Sequence, residues 1–338
     1  MVQEGFRGYA SAEAKAPLEP FEYVPQPLGD NDVEVRVTHN GLCHTDLHMR
    51  DNEWGISSFP LCPGHEVVGV VVAKGANVGD ELSIGARVGL GWIRDSCGHC
   101  DSCVIGQENI CSKGYTGTIV GHHGGFQDRV RLPSKFAFKI PDALDSVSAA
   151  PLMCAGATIF TPLKTYVTRP GMKVGVIGIG GLGHLALQFA RAMGCEVTAF
   201  STTPSKEKEA RAFGAHDFAL LNDTKFNNTQ DLLLNTSPYD MDWSALLNVL
   251  KLDGKLCLLG IPATTLTIPI IPVVFHQKSI VGSIVAGRKF MREMLEFAAL
   301  HQIKPQVETM PLEKVNEAMD RVAKNEARYR VVLVSEEN

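Results

Sequence analysis

Four cysteines, Cys97, Cys100, Cys103 and Cys111, fall in the run SCGHCDSCVIGQENIC with the spacing C-x2-C-x2-C-x7-C. Thiolates this close in sequence, with Gly98 and Gly106 between them to allow tight turns, can meet around one tetrahedral zinc at about 2.3 Å per bond. An iron–sulfur cluster or a set of unligated thiols is the alternative for such a window. A zinc bound by four sulfurs has no open corner, so it would serve folding rather than reaction. A second set is scattered: Cys43 in GLCHTDLH, His65 and Glu66 in PGHEVVG, and Cys154 in PLMCAG. Taken singly, each reads more simply as a core thiol or a hydrogen-bonded histidine. A third pattern, G-x-G-x-x-G, is formed by Gly178, Gly180 and Gly183 in KVGVIGIGGLGHLALQFA, directly after an apolar strand and at the opening of a helix. In that context the first glycine permits a tight turn, the second lets a pyrophosphate approach the backbone, and the third allows helix to pack closely on strand. The helix start then offers unpaired N–H donors to the phosphates.

These residues need elements to carry them. Up to about residue 150 the chain holds short valine-rich strands broken by Gly and Pro (VEVRVTHNG, HEVVGVVVAKG, ARVGLGWI, FQDRVRLP), which predicts a strand-dominated, partly antiparallel first domain. From about Pro170 strands alternate with helices, as in KVGVIGIG, GHLALQFARAMG, EVTAF, SKEKEARAFG, DFALL and GKLCLLG, which predicts a parallel sheet covered on both faces. After about Gly282 come the helical stretches RKFMREMLEFAALHQI and LEKVNEAMDRVAKN and a last strand, YRVVLVS; periodicity leaves open which domain this tail closes. The 338 residues suggest about two domains. A net charge of −5 argues against a nucleic-acid partner. No export signal or bilayer-length apolar run is read in the sequence, and nine cysteines, an odd number, suit metal better than disulfides; the expected location is the cytoplasm, with no membrane association.

GLCHTDLH, PGHEVVG, the four-cysteine window, PLMCAGAT and GIGGLG stand in the order and approximate spacing of the zinc-dependent medium-chain dehydrogenase/reductases. Over nearly its whole length the sequence resembles their cinnamyl-alcohol-dehydrogenase-like, NADP-using branch. The resemblance implies an α/β fold: a GroES-like, mostly β catalytic domain from residues 1–157 and 286–338, and a doubly wound Rossmann domain over 158–285. It implies two zinc ions per chain, a structural one on Cys97, Cys100, Cys103 and Cys111 and a catalytic one on Cys43, His65 and Cys154. Glu66 would lie behind the catalytic metal as an exchange ligand or electrostatic modulator, and Asp46 would fix the ring of His65. Zinc carries no electrons itself, so a hydride carrier must act with it. Thr45 matches the hydroxyl that touches the substrate oxygen, and His48 the histidine that ends the proton relay.

On the cofactor side the resemblance assigns Gly178, Gly180, Gly181 and Gly183 to the pyrophosphate, Thr158 and Leu182 to the nicotinamide ring, and the backbone of Gly282–Ile284, with Ser283, to its carboxamide. His44 and Arg330 match cationic phosphate partners. At the end of EVTAF, where NAD enzymes carry an acid, stand Ser201, Thr202 and, shortly after, Lys206, a set that favours NADP over NAD and also reads as a capped helix start. Trp54 and Trp92 match pocket positions, with Ile284 facing them from the other domain, and two indoles suit an aromatic or medium aliphatic alcohol or aldehyde; core tryptophans are the plainer alternative. The sequence departs from the branch in GTIVGHHGG and in residues 222–240, both abbreviated. The expected protein is a homodimeric, NADP-dependent zinc alcohol dehydrogenase. Its rivals are an NAD-dependent polyol or small-alcohol dehydrogenase, a non-catalytic nucleotide-binding structural or sensor protein, and a zinc ribbon for nucleic acid.

Overall fold

The computed structural model describes residues 5–261 and 265–335. The chain divides into two compact units, one holding residues up to Cys154 together with those from Ala286 onward, the other Ala155–Val285.

At the centre of the first unit's seven-stranded sheet runs Asp32–Leu42, whose Val33, Val35 and Val37 are buried. It pairs antiparallel with Glu66–Lys74 on one side. On its other side it meets Arg129–Pro133 along its first half and Arg330–Val334 along its second. The register sets Gly41 opposite Glu66 and Leu42 opposite Val331. The chain therefore leaves the sheet toward Cys43 between the first residues of two neighbouring strands. The C-terminal tail lies in this unit because Arg330–Val334 bridges Asp32–Leu42 and the parallel strand Val307–Pro311. Leu42, Leu47, Cys62, Phe126, Val315, Met319 and Leu333 pack beneath as one core cluster, each large side chain contributing about 1.5–3 kcal/mol by leaving water.

The second unit holds six parallel strands in the spatial order Asp217–Leu220, Glu196–Ser201, Lys173–Ile177, Gln230–Asn235, Leu250–Leu258, Ser279–Gly282. In chain order this is 3-2-1-4-5-6, the doubly wound dinucleotide-binding arrangement. Val174, Val176 and Leu232–Leu234 are fully buried, as strands covered on both faces require. Sequence periodicity passes over Gln230–Asn235, although it is a central strand, because polar NNT and NTSP segments flank its three leucines.

A long apolar helical run spans Ser146–Tyr166, 21 residues. It is long and apolar enough to cross a bilayer, yet 89% of its most apolar window is buried inside the protein, so it is a core helix. A π-turn at Leu152–Gly156 interrupts it and holds Cys154.

Candidate active site

Cys43 caps the N-terminus of helix His44–Arg50, and its N–H donates to the Asp46 carboxylate at 3.0 Å. The other Asp46 oxygen accepts from the Gly64 N–H and from His65 Nδ1, each at 2.9 Å. One fully buried carboxylate thus fixes a helix start, a turn and an imidazole. With Nδ1 engaged, His65 Nε2 is buried and has no hydrogen-bond partner among the described residues. Ligand atoms of Cys43, His65, Glu66 and Cys154 all lie within 4.8 Å of one another. Hydrogen bonding to Cys154, then the His65 ring and the Arg330 charge, hold the Cys43 thiol well below its ordinary pKa against the effect of burial. Cys154 is pushed well above by Cys43 and by burial. Burial works to lower the pKa of His65, but Asp46 outweighs it and raises it well above the usual value. With its ring oriented by Asp46 and its Nε2 beside two sulfurs, His65 completes a donor set of two sulfurs and one nitrogen, which is that of a catalytic zinc.

Glu66, fully buried, reaches across the sheet to Arg330, whose Nη2 donates to its two oxygens at 2.5 and 2.6 Å. The path between them passes over the intervening strand at Gly41, where an added Cβ would collide with the Glu66 carboxylate. Burial raises the Glu66 pKa to about 7, with the guanidinium opposing. Burial acts to lower Arg330, but Glu66 and Cys43 hold it above its usual value. Arg330, matched by resemblance to a pyrophosphate, has Nη2 on Glu66 and a buried Nε without a partner among the described residues.

Thr45 Oγ1 lies 3.7 Å from Cys43 Sγ. His48, on the same helix face three residues on, sits 2.5 Å through Nδ1 from Glu53, whose side chain is half exposed. Rings then run in series: His48 stacks on Trp54 (5.1 Å), Trp54 meets Trp92 edge-on (6.5 Å), and Trp92 meets His65 edge-on (5.4 Å). The two indoles therefore line one wall beside His65. Trp92 Nε1 donates to Tyr115 Oη at 3.1 Å, which fixes the ring's tilt.

The four-cysteine lobe rises from a hairpin of Ile93–Ser96 and Tyr115–Gly117. Its Sγ–Sγ separations are 3.8 Å (Cys97–Cys103), 3.8 Å (Cys100–Cys111) and 3.5 Å (Cys97–Cys111). A zinc tetrahedron with bonds of about 2.3 Å has edges of about 3.8 Å, so the sulfurs already stand at metal-binding spacing. Gly98 and Gly106 take φ +75° and +81°, the left-handed turns that bend the loop back. Amides of Cys103 and Ser112 lower the Cys100 pKa to about 5, whereas burial raises Cys103 to about 11. Beneath the lobe, fully buried Glu108 accepts from the Arg288 N–H at 2.7 Å and from its Nε at 2.5 Å, where helix Arg288–Leu300 begins.

In the second unit, Gly178 follows strand Lys173–Ile177 at φ +82°. A Cβ at Gly183 would collide with the Gly178 carbonyl, while one at exposed Gly180 would meet nothing within 4 Å among the described residues. Helix Gly183–Ala192 starts at half-buried Gly181 and Leu182 with no side-chain cap. Close packing, open room and uncapped N–H donors fit a pyrophosphate. Ser201 ends strand Glu196–Ser201, its Oγ accepting the Thr203 N–H at 3.1 Å. Thr202 is exposed, and Lys206 Nζ lies 3.9 Å from Glu209. Thr158 is buried on helix Ala157–Tyr166, Ser283 N–H donates to the Leu258 carbonyl at 3.4 Å, and Ile284 is 43% exposed. His44 is exposed in the first turn of its helix.

Residues 29–142 match the alcohol dehydrogenase GroES-like domain family and residues 181–299 the zinc-binding dehydrogenase family. An aldehyde reductase of Synechocystis is 42% identical, over 98% of this chain and 99% of its own. The chain belongs to the zinc-dependent medium-chain alcohol dehydrogenases. Among solved structures, a cinnamyl alcohol dehydrogenase of Sorghum bicolor superposes on this dehydrogenase with TM-score 0.93 and 36% identity, covering 99% of each chain. One from Helicobacter pylori complexed with NADP(H) gives 0.91 and 28%, covering 98% of each. Motif reading missed several residues that this dehydrogenase sets around its sites: Glu53, Tyr115, Gly41 and Glu108. Glu53 follows His48 by five positions, a signal too common to single out, and the other three acquire their roles only through the fold.

Proposed function

We propose that this dehydrogenase works as an NADPH-dependent aldehyde reductase, reversibly an alcohol dehydrogenase, with Cys43, His65 and Cys154 holding the catalytic zinc and Glu66 behind it. The observation that carries the reading is the buried Nε2 of His65, without a hydrogen-bond partner among the described residues and gathered with the sulfurs of Cys43 and Cys154 so that all ligand atoms lie within 4.8 Å of one another. When bound, zinc acts as a Lewis acid on the substrate oxygen and NADPH supplies the hydride. The protein's own residues move the proton: Thr45 Oγ1 delivers it to the new alkoxide, and His48 and half-exposed Glu53 restore it from water. Asp46 keeps the His65 ring in one tautomer. Trp54 and Trp92 select an apolar, aromatic or medium aliphatic aldehyde and screen the site from water. Cys97, Cys100, Cys103 and Cys111 hold a second, structural zinc.

The NADP preference is supported by the hydroxyls of Ser201 and Thr202 and the nearby Lys206 where NAD enzymes place an acid. The domain boundaries we propose are 1–157 with 286–338, and 158–285. We further propose a homodimer formed through the second unit, where Leu252, Ile270, Ile271, Val274 and Phe275 are 61–80% exposed and where, among the described residues, the sheet ends at the edge strand Ser279–Gly282. A cytoplasmic location agrees with nine cysteines, none of them in a disulfide. The deciding experiment follows NADPH and NADH oxidation with benzaldehyde and hexanal while counting metal by mass spectrometry. Turnover preferring NADPH with two zinc ions per chain supports the reading; a metal-replete protein that reduces neither aldehyde overturns it.

A further inference from the structure

We propose that Thr161 is a positioning residue for the nicotinamide half of the cofactor, clamping the segment Ser283–Val285 to the helix that carries Thr158. The inference deepens the cofactor reading above and rests on it.

Thr158 and Thr161 lie three residues apart on helix Ala157–Tyr166, so they share a face, and both are buried. The Thr161 hydroxyl has one proton and two acceptors in range. The Ala157 carbonyl, one turn back in its own helix, is at 3.0 Å, and the Val285 carbonyl at 2.6 Å. A threonine that merely satisfied itself within the helix would need only the first. The shorter contact takes the proton, so the hydroxyl donates to Val285. On the far side of the segment the Ser283 N–H is tied to the Leu258 carbonyl.

Between these two tethers Val285 adopts φ +27°. A β-branched residue enters positive φ only where its surroundings impose it, because Cβ then crowds its own backbone. Val285 is buried and its carbonyl is the group that Thr161 holds. The bond therefore fixes the direction of the peptide planes that follow Ser283 before any cofactor arrives. Preorganisation of this kind lowers the cost of ordering on binding and sets the angle of the bound ring. Thr158 and the clamped segment are then two sides of one seat for the nicotinamide.

The test compares Thr161→Val with Thr161→Ser for two ligands: NADPH and 2′,5′-ADP, which carries the phosphorylated adenosine half and no nicotinamide. Binding is read by NADPH fluorescence and by calorimetry. Thr161→Val should weaken NADPH about tenfold and leave 2′,5′-ADP within twofold, while Thr161→Ser, which keeps the hydroxyl, binds both as the parent does. With NADPH deuterated at the transferred position, Thr161→Val should also show a larger isotope effect on kcat, since a badly seated ring slows hydride transfer itself. In a Val285→Gly background, where positive φ is unstrained, the Thr161→Val loss should shrink. Equal NADPH affinity in Thr161→Val and parent, or a parallel loss of 2′,5′-ADP, overturns the positioning role alone. A parent protein that binds neither ligand overturns the cofactor reading and this inference with it.

Discussion

The lobe at Cys97–Cys111 draws its sulfurs from one short loop, and its thiolates accept hydrogen bonds from amides of that same loop. Cys43, His65 and Cys154 instead come from a helix start, the residue before a strand and a π-turn, and are held by groups outside the set: Asp46 on His65, and Glu66 with Arg330 beneath. The lobe is uniform in donor type. The other centre mixes sulfur with nitrogen and leaves one imidazole nitrogen without a hydrogen-bond partner among the described residues. A site that only has to persist can be written locally, whereas one that must keep a reactive position open borrows its rigidity from the core around it.

The sharpest way to break this contrast is Cys43→Ser. Turnover should fall at least about a thousandfold, with the melting curve nearly unchanged and one zinc per chain retained by mass spectrometry; both ions retained at full activity would erase the distinction. Asp46→Asn should weaken the ion at the mixed centre by about 10–100-fold, read by chelator competition, and leave the lobe's ion in place. Loss from the lobe instead would mean the two centres are not independent. Cys103→Ser should act the other way, lowering Tm by about 10 °C while kcat per folded chain stays within about twofold. Glu53→Gln should be mildest, reducing kcat about threefold, far less than removing a group that transfers the proton directly; an effect matching that of Cys43→Ser would move Glu53 from the solvent end of the relay to its centre.

Local chemistry was legible in the sequence wherever spacing alone determines geometry. The C-x2-C-x2-C-x7-C window and the Gly178–Gly183 turn can be read off the residues because few other conformations bring those atoms together. The mixed centre became readable only through the resemblance, since Cys43 and Cys154 look like ordinary core thiols until the sheet and the π-turn deliver them to one point. Gly41 could not be read at all: its lack of a side chain matters because Glu66 passes over it to reach Arg330, a register fact spanning three strands. Gln230–Asn235 was hidden for a different reason. A central parallel strand needs only a few apolar residues, and here three leucines stand among polar ones.

The buried Glu108 beneath the lobe has a consequence for anyone redesigning the enzyme. Because the hairpin of Ile93–Ser96 and Tyr115–Gly117 closes neatly at its base, the lobe invites replacement by a short turn. Such an excision would strip Arg288 of its carboxylate and leave the first turn of a thirteen-residue helix without its acceptor. A minimised scaffold would have to supply a substitute acid at that spot before the cysteines could be dispensed with.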